Sequence, residues 1–489
     1  MVVTERNSIK GSHFIVLAKT YFILGGYVIY FGLAHLLGPE GFGIYGVVVG
    51  VVSVLNMIFV TGTIQGVSKF VSEDESRAEA VKRSSLWIQL ILGGGTALVY
   101  FLLSPQIAQW FKDPALTPYL KLSSAIIVSY AFYAVFIGVL NGQKKFKTQA
   151  LFDMTYSTLK ASLTIGMVLA GWSVYGAIGG FVAASFLVFV LAAWKFGFHL
   201  KGEQFPKLPI LRFALTVMGF SGLMTLIQQM DLFMLKALSP QADSNLLSGF
   251  YTSSLTLARI PYMIFMSLGL IVFPLVSRSA YDQNAQETAS LIRQGIRICL
   301  LLVVPIVCLF SASPAATIDF IYPASFRPAG EALRIISWGY FGLTLFMITT
   351  TMISSTGHPH ISFGLGVLTL TVQCLMGWVL IPRHPLTGAA WSTVMAAAIG
   401  MATSVVWLKR RFHALVAPLS FLRIFSAGLL VFCIAAGIGV EGLGLLIKDG
   451  LLMILYFSVL FLTRELTLPE LQILTAKLAG GKKTESCEL

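Results

Sequence analysis

Residues 175–196 read YGAIGGFVAASFLVFVLAAWKF, an unbroken apolar run whose one charge, Lys195, waits until the penultimate position. About 20 residues of helix, at 1.5 Å per residue, cross the ~30 Å hydrocarbon core of a bilayer. A helix is also the form that satisfies its own backbone polar groups in lipid. Working outward, similar runs recur at about 14–36, 44–66, 85–104, 119–140, 150–171, 213–235, 250–276, 295–312, 333–355, 360–381, 387–408, 421–440 and 449–463, so the chain holds about 14 candidate spans. Composition agrees: 56% of the 489 residues are hydrophobic and 11% charged, where a soluble domain carries about 25% charged residues. The expected fold class is an all-α polytopic membrane protein.

Lysine and arginine set the expected orientation. Lys112, Lys121, Lys236, Arg327, Arg334, Arg383 and Lys448 fall in one set of alternate connections, and Lys19, Lys160 and Arg259 fall inside spans. All the others among the 34 cations lie in the opposite set, which includes both termini. Cytoplasmic loops carry the excess of Lys and Arg, so both termini are expected in the cytoplasm. The net charge of +13 is spread over those loops as a topology signal, and nucleic acid is not an expected partner. The N-terminal segment runs into an apolar stretch with no small-residue cleavage site, and is read as a retained first span.

The chain also matches itself. Ser104-Pro105 and Ser313-Pro314 each open a loop, with Phe111 and Phe320 at corresponding positions. Gly43-Ile44-Tyr45 parallels Gly249-Phe250-Tyr251, Tyr175-Gly176-Ala177 parallels Thr387-Gly388-Ala389, and Trp194-Lys195-Phe196 has a counterpart beginning at Trp407. Similar offsets at four places imply a repeat of six spans. Six is even, so the copies run parallel and form two lobes about a central path. The expected domains are an N-terminal lobe at 1–200, a C-terminal lobe at 201–415, two additional helices at 416–465 and a cytoplasmic tail at 466–489.

A charge at bilayer depth costs about 2.5–3.5 kcal/mol on insertion scales unless it faces water or a partner. Lys19, Lys160 and Arg259 are therefore the residues to explain, and a cavity of unmatched positive charge suits an anionic cargo. Asp153, Ser157, Lys160 and Thr164 fall on one helical face of the fifth span. Lys160 and Arg259 each lie about ten residues into their spans, roughly 15 Å deep, while Lys19 is shallower. Asn56, Gln228, Gln373 and Tyr30 are candidate cavity polar groups, with interhelical hydrogen bonding as the alternative for the amides. Asp153 and Asp231 are the two acids inside spans, near their ends. No phosphate-cradling loop, metal-ligand spacing or paired-carboxylate loop appears, so neither an enzyme nor a cofactor is expected.

Leu36-Leu37-Gly38-Pro39-Glu40-Gly41-Phe42-Gly43-Ile44-Tyr45 resembles the segment after the first span of polysaccharide transporters. Asn141-Gly142-Gln143 with its following lysines, and Gly249-Phe250-Tyr251 with Leu257-Ala258-Arg259-Ile260-Pro261, resemble two further segments of that family. The resemblance covers about 1–465 and points to oligosaccharide (O-antigen-type) flippases, relatives of the lipid II flippases within a superfamily that includes multidrug/cation antiporters. It implies two lobes around a cationic cavity with alternating access, in a bacterial cytoplasmic membrane. The implied cargo is an undecaprenyl-diphosphate-linked oligosaccharide, moved to the outer leaflet for cell-surface polysaccharide biosynthesis. Membrane lipids and, in the assembly pathway, a polysaccharide polymerase are the implied partners. Lys160 and Arg259, helped by Lys19, are the expected diphosphate ligands. A lipid II flippase and a drug/cation antiporter are the alternatives, and a membrane-embedded transferase or polymerase is the remote one.

Overall fold

A computed structural model describes the backbone of residues 2–414 and 416–466, and the side chains of these apart from residues 2–13, 16 and 264–274. The proposed tail lies outside the described residues. Among those described, the chain is helical throughout, with no strand. Eleven continuous helical runs are long and apolar enough to cross a membrane, and two of them, Leu17–Glu73 and Phe146–Phe196, are long enough to cross twice.

The N-terminal half comprises α1 (Val2–Glu73), α2 (Ala78–Trp110), α3 (Thr117–Gly142), α4 (Phe146–Met167) and α5 (Ser173–Phe196). The next part comprises α6 (Lys207–Leu238), α7 (Ser244–Ala258), α8 (Ile260–Tyr281), α9 (Ala285–Ala312), the short α10 (Pro314–Ile321), α11 (Ala329–Ser355), α12 (Pro359–Leu380) and α13 (Pro385–Phe412). Two further helices, α14 (Pro418–Gly437) and α15 (Leu443–Leu462), complete the described chain. All fourteen expected spans thus have helical counterparts.

Local chemistry explains where the helices bend. In α1 the two expected spans join through Gly38 at φ 66°, a value that favours glycine, followed by Pro39. Between α4 and α5 the turn is nearly loopless, with Gly171 at φ 92° and Ser173 at φ 48°. The expected eighth span is broken at Arg259. Pro261 is the second residue of α8, and its missing N–H leaves the Leu257 carbonyl without its i+4 donor.

One expected feature of the repeat is corrected. Ser104-Pro105 does not open a loop, because α2 continues to Trp110 with Pro105 inside it. Ser104 is buried, and its hydroxyl donates to the Tyr100 carbonyl at 2.7 Å. At Ser313 the backbone leaves the helix, and Pro314 starts α10 instead. The same dipeptide therefore continues a helix in one half and breaks it in the other.

The halves pack on each other mainly through α1 against α6 and α7. Glycine makes this approach possible. A Cβ on Gly249 would lie 1.9 Å from the Pro39 carbonyl oxygen, and one on Gly43 would lie 2.0 Å from the Asn245 carbonyl oxygen and 2.7 Å from the Gly249 nitrogen. The two matching Gly-x-Tyr elements therefore meet backbone to backbone. Gly46, one turn on, receives Thr252. One buried apolar cluster unites α1–α7 with α11–α13, and a second unites α9, α11, α14 and α15. Large apolar side chains such as Leu102, Leu446 and Leu451 lie on the outside, where hydrocarbon would cover them.

Candidate functional site

Arg259 sits at the α7–α8 break, between α6 and α11. Its Nε donates to the Tyr340 hydroxyl on α11 at 2.7 Å. Its Nη2 donates to the Gln228 carbonyl and to Gln229 Oε1 on α6, the latter at 3.0 Å. Gln228 Nε2 in turn donates to the Tyr262 hydroxyl at 3.1 Å. A guanidinium has five N–H donors in a planar fork. These bonds fix the plane through Nε and Nη2, and Nη1 keeps its donors without a protein hydrogen-bond partner among the described residues. The side chain is partly exposed. An oriented cation with free donors is suited to bidentate recognition of a phosphate or carboxylate.

Aromatic residues bound this region. Tyr27 on α1 reaches the Met263 sulfur at 3.7 Å. Tyr30 packs edge-on against Phe42 and Tyr45. Beyond them Phe31, Phe42, Tyr322, Phe326 and Phe250 interlock, joining α1 to the α10 region and to α7. This plug and the glycine seam lie toward the cation-poor end of the bundle, the end holding residues 104–117, 239–244 and 313–328.

Asp231, one turn along α6 from Gln228, is buried and fully engaged. Its Oδ2 accepts from the Tyr251 hydroxyl at 2.8 Å and the Thr393 hydroxyl at 2.9 Å, and its Oδ1 accepts from the Leu232 N–H at 2.8 Å. Gln373 is also buried and donates to Thr393 at 3.1 Å. The chain Gln373–Thr393–Asp231–Tyr251 ties α12, α13, α6 and α7 together. Asp231 forms no close ion pair with Arg259, because its oxygens are taken by Tyr251, Thr393 and the Leu232 N–H.

The other sequence candidates are placed elsewhere. Lys160 lies over the Phe181 ring of α5, 3.7 Å from its centroid. Its helix, α4, packs on α1, α3 and α5. Lys160 and Arg259 thus lie in different halves, each among its own neighbouring helices. Lys19 is exposed. Asp153 is partly buried and accepts from the Tyr133 hydroxyl at 3.3 Å beside a cluster of Tyr130, Tyr133 and Tyr156. Ser157 is buried where α1 passes at Gly25. Thr164 packs against Gly180 of α5, with no partner for its hydroxyl, so it faces a neighbouring helix rather than open space. Asn56 is partly exposed on α1.

Residues that sequence reasoning missed are those that hold Arg259 and Asp231: Tyr340, Gln229, Tyr262, Tyr251 and Thr393. Gln229 adjoins Gln228 in a helix otherwise apolar around it, which was a usable signal; the tyrosines looked like packing residues. Three further lysines prove deeply buried. Lys82 donates to the Phe196 carbonyl at the end of α5 and pairs with Glu79 at 2.8 Å. Lys448 donates to Ser313 and to carbonyls at the end of α14, where a cation complements the helix dipole. Lys236 is considered below. All three had been assigned to aqueous segments.

Comparison with known proteins places this arrangement in a family. The profile of a family described as "polysaccharide biosynthesis protein" matches residues 33–330. An uncharacterized membrane protein of Methanocaldococcus jannaschii is 22% identical over 413 residues, covering 79% of this chain and 94% of that one. A probable lipid II flippase of Borreliella burgdorferi is 25% identical over 194 residues, 37% of this chain and 36% of its own. Among solved structures, an inward-closed lipid II flippase superposes with a TM-score of 0.74 at 13% identity, covering 96% of this chain and all of that one. An inward-facing multidrug resistance transporter gives 0.65 at 18% identity, covering 80% and 95%. The fold is thus shared with flippases and multidrug transporters, and the chain is a multi-pass membrane protein belonging to the polysaccharide biosynthesis protein family.

Proposed function

We propose that this protein is a flippase that moves an undecaprenyl-diphosphate-linked oligosaccharide from the cytoplasmic to the outer leaflet by alternating access, rather than an enzyme. The observation that carries the reading is Arg259, oriented by three N–H bonds at a helix break while Nη1 has no hydrogen-bond partner among the described residues. A diphosphate presents the paired oxygens that such a fork binds. Tyr27 and Tyr30 supply the nearest surfaces for a sugar face, and the polyprenyl chain remains in the bilayer beside the protein. Lys160 and Lys19 lie in the N-terminal half, where they would draw the anion from the cytoplasmic leaflet rather than share its final ligation with Arg259.

The two lobes, 1–200 and 201–415, would rock about the α1–α7 seam, with 416–465 outside the repeat. Termini facing the cytoplasm and residence in a bacterial cytoplasmic membrane follow from the loop charges and the cargo. A polymerase acting on the delivered glycan would be a downstream partner. Lipid II is the neighbouring cargo, favoured by the likeness to lipid II flippases. Flipping of fluorescent polyprenyl-diphosphate sugars, measured in proteoliposomes, tests the reading. Transport of the diphosphate-linked glycan, and not of the same glycan on a neutral lipid, is expected. Equal handling of both, or export of cationic dyes alone, would overturn it.

A further inference from the structure

Lys236 lies in the last turn of α6 and is fully buried. Its ammonium donates to Asp113 Oδ2 at 2.8 Å, to the Ser244 hydroxyl at 3.0 Å and to the Asn245 side-chain oxygen. All three of its donors are therefore used. Asp113 belongs to the other half of the chain, in the connection after α2. Among the described residues this is the one ion pair that joins the N-terminal half to the C-terminal half.

Its surroundings make the pair matter. Asn245, which Lys236 grips by its side chain, also offers the backbone carbonyl that Gly43 abuts, so the pair and the glycine seam share one anchor. Nearby, an open apolar groove of about 240 Å³ runs along the N-terminal half, with Phe233 as its one lining residue from α6. Val51, Leu55, Tyr100, Leu103, Ile107 and Phe233 line it. At this edge the end of α2 meets α6 through the Phe111 and Phe233 rings, 5.8 Å between centroids, and through the charge pair.

We propose that Lys236–Asp113 is the latch that keeps the outer side of the protein closed, and that α2 and α6 part at this edge when the latch breaks. Opening moves Asp113 away with the N-terminal half. Lys236 stays with Ser244 and Asn245, which are on its own side, so the ammonium retains two of its three acceptors while water replaces the third. That division lowers the cost of exposing a buried charge, which would otherwise oppose opening. The latch rests on the alternating-access reading and on the orientation set by loop charges.

The test reads distance rather than transport, so its outcome is separate from the identity of the cargo. Spin labels are placed at exposed Ala115 and Ala242, as Ala115→Cys and Ala242→Cys, in a protein whose native cysteines are replaced and which is reconstituted in nanodiscs without cargo. The unmodified latch should give a single short-distance population. Asp113→Asn and Lys236→Met should each raise the longer-distance population by about tenfold relative to the short one, as a lost differential interaction shifts a two-state equilibrium. The exchange Asp113→Lys with Lys236→Asp should restore the short population, because Ser244 and Asn245 can donate to an aspartate as well as accept from a lysine. Unchanged distances in both single variants would overturn the latch. So would an exchanged protein that folds, by its thermal transition, yet stays as open as the single variants.

Discussion

Arg259→Lys separates an anion ligand from a structural arginine. Lysine keeps the charge but gathers its three donors on one nitrogen, on a shorter reach than the guanidinium. That nitrogen falls near the guanidinium carbon, so it can turn to the Tyr340 hydroxyl, now 2.7 Å from Nε, or to the Gln228 carbonyl and Gln229 Oε1 now held by Nη2, and not to all three. One hydrogen bond to a charged group contributes about 1.5–3 kcal/mol, or roughly 10- to 150-fold. The free Nη1 edge disappears as well. Tyr340→Phe is the matching control, because it removes one orienting bond and leaves Nη1 in place. Binding of a short-chain prenyl diphosphate by purified protein, followed calorimetrically, should weaken about 10- to 150-fold in Arg259→Lys and within about threefold in Tyr340→Phe, while both lower the melting temperature. Equal loss of binding in the two variants would refute the anion role and leave Arg259 as a scaffold for α6, α8 and α11.

Gly249→Ala should force α1 and α7 apart by about 1.5 Å, the gap between 1.9 Å and an ordinary 3.4 Å contact with a backbone oxygen that cannot swing away. At about 1–3 kcal/mol for such overpacking, the cation-poor end should open measurably in spin-label distances or the melting temperature should fall. Asp231→Asn replaces a carboxylate that accepts three hydrogen bonds by an amide whose NH2 must face either a hydroxyl pair or the Leu232 N–H. A loss of about 2–3 kcal/mol in stability is expected, read by thermal unfolding in detergent, with Thr393→Ala showing part of the same loss. Phe181→Leu removes the ring beneath Lys160; a cation over a ring contributes about 0.5–2 kcal/mol. Transport by Phe181→Leu should fall severalfold, and transport by Lys160→Met further, while wild-type rates in both would remove Lys160 from the pathway.

The membrane spans were legible in the sequence because lipid imposes one rule everywhere: about twenty apolar residues per crossing, each satisfying its own backbone. The glycines at 43 and 249 were visible as a repeat, and Arg259 as a charge too deep to be idle. Their meaning was not visible. Only the tertiary structure brings Gly43 against Gly249, because contact between residues some two hundred positions apart leaves no local periodicity. Only it shows what Lys160 and Arg259 each pack against, since depth along a helix says nothing about which neighbour the helix faces. Likewise Lys82, Lys236 and Lys448 looked like loop charges from their positions near span ends. Each is buried because a helix C-terminus or a carboxylate from a distant segment happens to meet it. Sequence fixes how often and how deeply the chain enters the bilayer, and packing decides which polar groups find each other there and which donor is left free.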